Sequence, residues 1–537
     1  MNRNKKHLLI PLMALSTAVL AGCGSSRNSY AYDLDFNANV EGTTIKMWAG
    51  FGSAINDVLG DLLDEFERLT KVKVEYESKS NYEDTLKAVT LASTSGKYPH
   101  VVVGYPDHFA SYVKSNIIVR LDYYLENDVH NPTFEPASER FELSDFYDDY
   151  IVENQSIEFN NDGTPYTLGI PFNKSTEVLV YNKNFFSYAA SNEQLKDNIF
   201  VPRTYDELET VGLNILEYFD TLDLYGKVLY DDGTTVQKAG SKIVLDLSEV
   251  QSPDSPDLTR RFKPFSYDSQ ANLFITTVRQ NGGVYTMFDK VTKRGYLSFD
   301  SAETRTGLTT LKNLYDEKVF GIPADWGEAK YGSNPFKASK TVMTLGSSAG
   351  VANDTTVGNK FRIGAAPVPY THADKKYVIS QGANLALLDT GSREQRVAAW
   401  QLIKFLSKYA NGYFCSQTGY YPTCAYAEQA GEGNVAGMWA NYHDDFDGTD
   451  YATWLEEASN SLSDTDVIRA ETAEINLDYY INDTENWIKF VDPPFAGSAN
   501  VREAVASITP WIFTGQRTID NAISEMYSVL SDYVREN

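Results

Sequence analysis

The chain has 537 residues, 13% of them aromatic, and a formal net charge of -26. Acidity of that size repels nucleic acid and anionic lipid surfaces, and no Lys/Arg-rich run offsets it, so neither is expected as a partner. A single core rarely organises so many residues, which predicts two lobes or domains.

At the start, Arg3, Lys5 and Lys6 precede an apolar run from Leu8 to Leu20, the pattern of an export signal. The run falls short of the roughly 20 residues that span a bilayer comfortably. Leu20-Ala21-Gly22-Cys23 resembles a bacterial lipoprotein signal, which implies a signal peptide over 1–22 and a lipid on Cys23. Residues 23–42 are polar and lack helical periodicity, as a tether would. The expected location is the outer face of a bacterial cell membrane, held by the lipid anchor.

Thr43 to Trp48 alternates polar and apolar like a half-buried strand, and Gly50-Phe51-Gly52 breaks it. From Ile55, Val58, Leu59, Leu62, Leu63, Phe66 and Leu69 recur at three and four, one face of a helix. Val72 to Tyr76 reads as a strand, Tyr82 to Ser93 as a helix and His100 to Gly104 as a buried strand. Strands alternating with helices imply βαβ units, a parallel sheet and an α/β class. A second α/β passage starts near Pro165 to Pro171 and the strand Val178 to Tyr181. Then come a helix over Ala302 to Lys318, strands over Thr341 to Leu345 and Asn384 to Leu388, and a helix over Glu394 to Ser407. Val501 to Val534 is mostly helical. Residues 226–262 and 428–470 have poor periodicity and read as insertions or surface excursions.

Gly346-Ser347-Ser348-Ala349-Gly350 fits a nucleophile elbow after a strand, which would make Ser348 the nucleophile of a secreted hydrolase of esters or glycans. Only His372 and His443 lie downstream, and neither neighbourhood looks like a triad partner. Asp444 to Gly448 hints at a calcium loop, yet the required positions fall on His443 and Trp454. With no phosphate-cradling loop and scattered histidines, no cofactor, metal or catalytic residue is expected. Cys415 and Cys424, nine apart, would either close a disulfide or stay as buried free thiols. Abundant tyrosine suits the faces of sugars and polyols as well as cores.

The ordered segments Ile45 to Trp48, Tyr98 to Val102, Gly169 to Thr176, Val180 to Phe186, Pro202 to Leu208 and Gly419 to Pro422 resemble extracellular solute-binding proteins of ABC importers. Within that group the chain is most similar to the branch binding glycerol 3-phosphate and glycerophosphodiesters. The resemblance implies a two-lobed periplasmic-binding-protein fold of type II, each lobe a mostly parallel sheet flanked by helices, with a hinge between. Lobe 1 would take 43–160 and 380–425, and lobe 2 would take 161–379 and 426–537. It also implies a monomer that captures a sugar, polyol phosphate or glycerophosphodiester and delivers it to permease subunits. Tyr82, Ser175, Ser347 or Ser348, Gly382, Tyr420 and Arg502 would face the ligand, Arg502 as the phosphate partner, with Asp107 standing in for the branch's carboxylate. Tyr267-Asp268-Ser269-Gln270-Ala271-Asn272 departs from the branch, which carries a tryptophan pair there.

Overall fold

The computed structural model describes residues 32–138, 140–328, 331–355, 360–424, 463–481 and 485–535. Cys23, the signal, the first part of the tether and the stretch from Asp444 to Gly448 lie outside these residues.

Strand β1 (Thr44–Ala49) leads into helix α1 (Ser53–Thr70), which buries Leu59, Leu62, Leu63 and Phe66. Lys71, in the left-handed region at φ 59°, ends the helix and turns the chain into β2 (Lys73–Ser78). Helix α2 (Tyr82–Ser93) starts where the Asn81 side chain accepts from the Asp84 N–H, satisfying a free first-turn donor. Next come the buried β3 (Val101–Gly104), α3 (Pro106–Lys114), α4 (Asp148–Asn154) and β4 (Ile170–Ser175). After Thr176 the chain enters β5 (Glu177–Asn182), then β6 (Phe265–Tyr267), α5 (Gln270–Gln280), β7 (Phe320–Gly321), β8 (Met343–Ser347), β9 (Ile363–Ala366) and β10 (Lys376–Ile379). Beyond Ser380 follow β11 (Gln381–Leu387), α6 (Arg393–Lys404) and α7 (Asn411–Thr418). The rest contributes α8 (Asp464–Ile475), β12 (Trp487–Phe490), α9 (Ser498–Val505) and α10 (Ile519–Arg535).

Two five-stranded sheets result, ordered β2-β1-β3-β11-β4 and β7-β6-β8-β5-β9. β1 runs parallel to β2 and β3, and β11 antiparallel to β3 and β4. The second sheet repeats the scheme, parallel across β7-β6-β8 and antiparallel from β8 through β5 to β9. Each sheet has its own core, one around Phe66, Phe172 and Trp400 and the other around Phe219, Phe265 and Phe320. Burying each such ring contributes about 1.5–3 kcal/mol. The architecture is the expected two-lobed α/β fold.

The first crossing differs from the sequence reading, and the boundary expected near 425 falls where the described residues end at 424 and resume at 463. β4 sits in the first sheet beside β11, and its Ile170 and Phe172 join the first core, so the first crossing falls at Thr176 rather than near residue 160. The return comes at Ser380, between β10 in the second lobe and β11 in the first. Within 226–262 the chain forms a hairpin of Val228–Tyr230 with Ile243–Asp246. The end of the other excursion is α8, capped by Ser463 and buried at Val467, Ile468, Ala470, Glu471 and Thr472. Burial on several sides erases the one-face pattern that periodicity detects.

Candidate ligand-binding site

The two lobes meet over a cavity of about 40 Å³ whose lining includes Tyr105, Asp107, Tyr285, Gly382, Asp492 and Arg502. Asp107 lies in the first turn of α3, which Pro106 opens at a position where the missing N–H costs nothing. Gly382, at φ +95°, is the second residue of β11, and a Cβ there would stand 1.9 Å from the Asn173 carbonyl oxygen. Only glycine fits that approach. The opposite wall comes from the second lobe, where α9 carries Arg502 and Asp492 follows β12.

Arg502 is held by a polar relay. Its Nη2 donates to Asn272 Oδ1 at 2.5 Å, Asn272 Nδ2 donates to Glu177 Oε1 at 2.8 Å, and the Tyr267 hydroxyl donates to Glu177 Oε2 at 2.5 Å. Burial pushes the Glu177 carboxyl up to about 7, against the pull of Tyr267, Asn272 and Arg502. Burial also opposes the Arg502 charge, but the attraction of Asp107 and Asp492 outweighs it and raises its pKa. The stretch without a tryptophan pair therefore serves as the polar support of Arg502 through Tyr267 and Asn272.

A second group adjoins the first. Tyr82 lies edge-on to Tyr105 at 4.9 Å, and its hydroxyl accepts from Asn173 Nδ2 at 2.8 Å. Tyr420, stacked on Phe414 at 6.0 Å, interacts electrostatically with Tyr82. Burial drives the Tyr82 hydroxyl well above its ordinary range, so it stays protonated and able to donate. Ser347 Oγ donates to Ser175 Oγ at 3.4 Å, joining β8 to the end of β4 across the first crossing. An aromatic strip thus leads from Tyr420 through Tyr82 and Tyr105 to the Asp107 and Arg502 end.

Ser348 belongs elsewhere. It is fully buried; its N–H donates to the Thr176 carbonyl at 2.8 Å, and its Oγ accepts from the Thr176 N–H at 3.2 Å. It pins the crossing, and a hydroxyl with no exposure is out of reach as a nucleophile for an ester or glycan in this arrangement. Cys415 and Cys424 are buried thiols with no disulfide between them, and Cys415 Sγ donates to Asn411 Oδ1 at 3.4 Å. Among the described residues no group of three or more metal-ligating side chains occurs.

Sequence reading did not single out Tyr105, Tyr285, Ser380 or Asp492. One signal was available for Asp492: Val491-Asp492-Pro493-Pro494 ends a strand ten residues before Arg502, and an acid before two prolines marks a fixed turn.

The family model for bacterial extracellular solute-binding proteins matches residues 61–442. The sn-glycerol-3-phosphate-binding periplasmic protein UgpB of Yersinia enterocolitica is 29% identical over 180 residues, 33% of this chain and 37% of that protein. Its counterpart in Yersinia pestis is 27% identical over the same length. The chain thus matches little more than a third of the length of these curated relatives. Among solved structures, UgpB from Mycobacterium tuberculosis in complex with glycerophosphocholine aligns with a TM-score of 0.60 at 16% identity, covering 92% of this chain and 99% of that one. The GacH receptor of Streptomyces glaucescens, solved unliganded and with acarbose, gives 0.58 at 16% identity, with 92% and 99% covered. Maltose-bound MalE3 of T. maritima gives 0.60 at 16% identity, with 91% and 99% covered. At these identities the likeness establishes the fold.

Proposed function

Because the chain belongs to the bacterial extracellular solute-binding protein family, we propose that it captures a carbohydrate or glycerol-phosphate-type solute between its lobes and delivers it to the permease of an ABC importer. The observation that carries this reading is the cavity at the second crossing, where Asp107 of the first lobe and Arg502 of the second line one space beside Ser380 and Gly382. Arginine offers paired donors, carboxylates accept from hydroxyls, and the tyrosine faces cover apolar surface of a sugar ring or glycerol chain. No bond is made or broken.

At about 40 Å³ the cavity admits little more than water, whereas solute pockets run to roughly 300–1,000 Å³. A solute therefore enters with the lobes apart, by rotation about Thr176 and Ser380, and bonds to both walls when they return. Binding biases the closed arrangement, which is the form a permease would recognise. The lipid on Cys23 and the tether would keep the receptor near that permease and raise its effective concentration there. Replacing Cys23 with alanine should then move the protein from the membrane fraction to the soluble one.

A melting screen against maltose, ribitol, sn-glycerol 3-phosphate and glycerophosphocholine tests the receptor reading. A ligand at a hundredfold excess over Kd stabilises by about 2.7 kcal/mol, which for a body of this size reads as a shift of about two to three degrees. No shift with any member of an extended panel of sugars, polyols and phosphodiesters refutes the proposal.

A further inference from the structure

One wall of the cavity is built from polar atoms with nothing to bond. Both carboxylate oxygens of Asp492, the Tyr285 hydroxyl, Thr286 Oγ1 and Ser380 Oγ are buried without a hydrogen-bond partner among the described residues. All four residues line the same space as Arg502. Buried polar groups are almost always paired, with protein or with water, so a convergent set that lines a cavity and has no protein partner is free to bond a ligand there. Its character is set by Asp492, which when ionised can only accept.

Positive charge is not what Asp492 lacks. Arg279 Nη2 stands 3.9 Å from Asp492 Oδ1, close enough to attract and too far to hydrogen-bond, and Arg502 also attracts the carboxylate. The missing partners are donors. Neutral hydroxyls supply them, and the Tyr285, Thr286 and Ser380 hydroxyls can each give or take a bond in return. A phosphate monoester at neutral pH brings mainly acceptor oxygens. Beside Arg502 it would face Asp107 and Asp492, and part of the guanidinium is already committed to Asn272.

We infer that Asp492 is the specificity-determining residue of the cleft, its two oxygens accepting from neighbouring hydroxyls of an uncharged sugar or polyol while its charge disfavours a phosphate oxyanion at Arg502. This rests on the receptor reading and narrows its solute class. Arg502 then donates to a ring or hydroxyl oxygen of the same solute, an Asp and Arg pair together matching the mixed donor and acceptor pattern of adjacent hydroxyls.

Calorimetric titration of the full chain with maltose, ribitol, sn-glycerol 3-phosphate and glycerophosphocholine tests it, on the unmodified protein, Asp492→Asn and Tyr285→Phe. The expected result is binding of maltose or ribitol, weakened about tenfold to a hundredfold by Asp492→Asn, as for loss of a buried charged acceptor. Tyr285→Phe removes only a hydroxyl and should weaken the same probe several-fold without lowering the melting temperature. Asp492→Asn should in addition gain affinity for sn-glycerol 3-phosphate. If Asp492→Asn does not fold, Tyr285→Phe alone decides, and unchanged sugar affinity in it overturns the inference. Tightest binding of sn-glycerol 3-phosphate by the unmodified protein overturns the inference while leaving the receptor reading intact. So does glycerophosphocholine binding that Asp492→Asn abolishes, since the carboxylate would then serve a cation. Binding of none of the four, or of any wider sugar and polyol panel, overturns both.

Discussion

Glu177→Gln should make the protein more stable, and more so as pH rises. Glu177 is only 1% exposed, and its carboxyl is raised from an ordinary 4.5 to about 7, chiefly by burial. In the unfolded chain it ionises first, so between those two values the unfolded state holds fewer protons than the folded one. Stability then falls with rising pH across that window, and the loss is complete above about pH 7. A shift of this size corresponds to about 3 kcal/mol at pH 8 and about 1 kcal/mol at pH 5. Glutamine removes the penalty and keeps both contacts, since its oxygen accepts from Asn272 Nδ2 and its amide donates to the Tyr267 hydroxyl. Urea unfolding of both proteins at pH 5 and pH 8 measures the effect. Other raised carboxyls, such as Asp354 at about 8 and Asp492 at about 6, occur in both proteins and cancel from the difference. A difference that is the same at the two pH values, or a less stable variant at pH 8, refutes the assignment of a charge-disfavouring site to Glu177.

Gly382→Ala should cost at least about 2 kcal/mol, because the left-handed backbone strains any side chain and the new Cβ meets the Asn173 carbonyl; the melting temperature reads the loss. Lys489 Nζ is buried in the second lobe, 4.5 Å from the Tyr150 ring and 3.4 Å from Asp149 of the first, and burial lowers its pKa. Since closure desolvates that charge, Lys489→Met should favour the closed form by about 1 kcal/mol and tighten solute binding several-fold; a weaker complex or a larger radius of gyration in solution scattering would contradict this. Asn411→Ala leaves Phe172, Leu406 and Thr423 backbone groups without the amide that joins them, and should destabilise by about 3 kcal/mol in urea unfolding. A thiol reagent should find Cys415 and Cys424 unreactive in the native protein and both reactive in urea, whereas a disulfide would leave them silent in both.

What could be read from the sequence was local. α1 shows its buried face as a repeat of apolar residues, and α2 begins at Tyr82 because Asn81 caps it, so both elements are visible within a few residues. The lobe of β4 is not visible that way. Its buried segment pairs with β11, some two hundred residues later, and nothing in Ile170 to Ser175 names that partner. The same limit governs the site. Of the residues that the resemblance names, Arg502, Asp107 and Gly382 line one cavity, and Tyr82, Ser175, Ser347, Ser348 and Tyr420 are not among its lining residues. Ser347 and Ser348 are neighbours in sequence, yet one reaches Ser175 and the other is spent on Thr176, a distinction that only the pairing of β8 with β5 decides. Asp492 and Tyr285 come from separate segments, and their lack of partners is a property of the assembled cavity.

The position of the cavity at the second crossing links binding to motion. Ser380 is itself a crossing residue, its N–H donating to the Phe490 carbonyl at 2.8 Å, and Gly382 follows two residues later. Thr176 at the other crossing bonds the Ile379 carbonyl through its hydroxyl at 2.9 Å. A solute that reaches Gly382, Asp107 and Arg502 together can do so only with the lobes closed, because these groups stand on different walls. Arg502 and Asp492 stand on the second-lobe wall and Asp107 on the first, so for a solute held first by the first lobe the contacts with Arg502 and Asp492 count toward closure rather than toward binding the open form. Moving a two-state equilibrium from 1:99 to 99:1 takes about 5.5 kcal/mol of differential affinity. Hydrogen bonds to charged groups contribute about 1.5–3 kcal/mol each, so two at Asp492 and one at Arg502 contribute about 4.5–9 kcal/mol, a range that brackets that figure. A variant lacking Asp492 should accordingly still admit solute but close on it poorly, and scattering in the presence of saturating solute would show a mean radius closer to that of the unliganded protein.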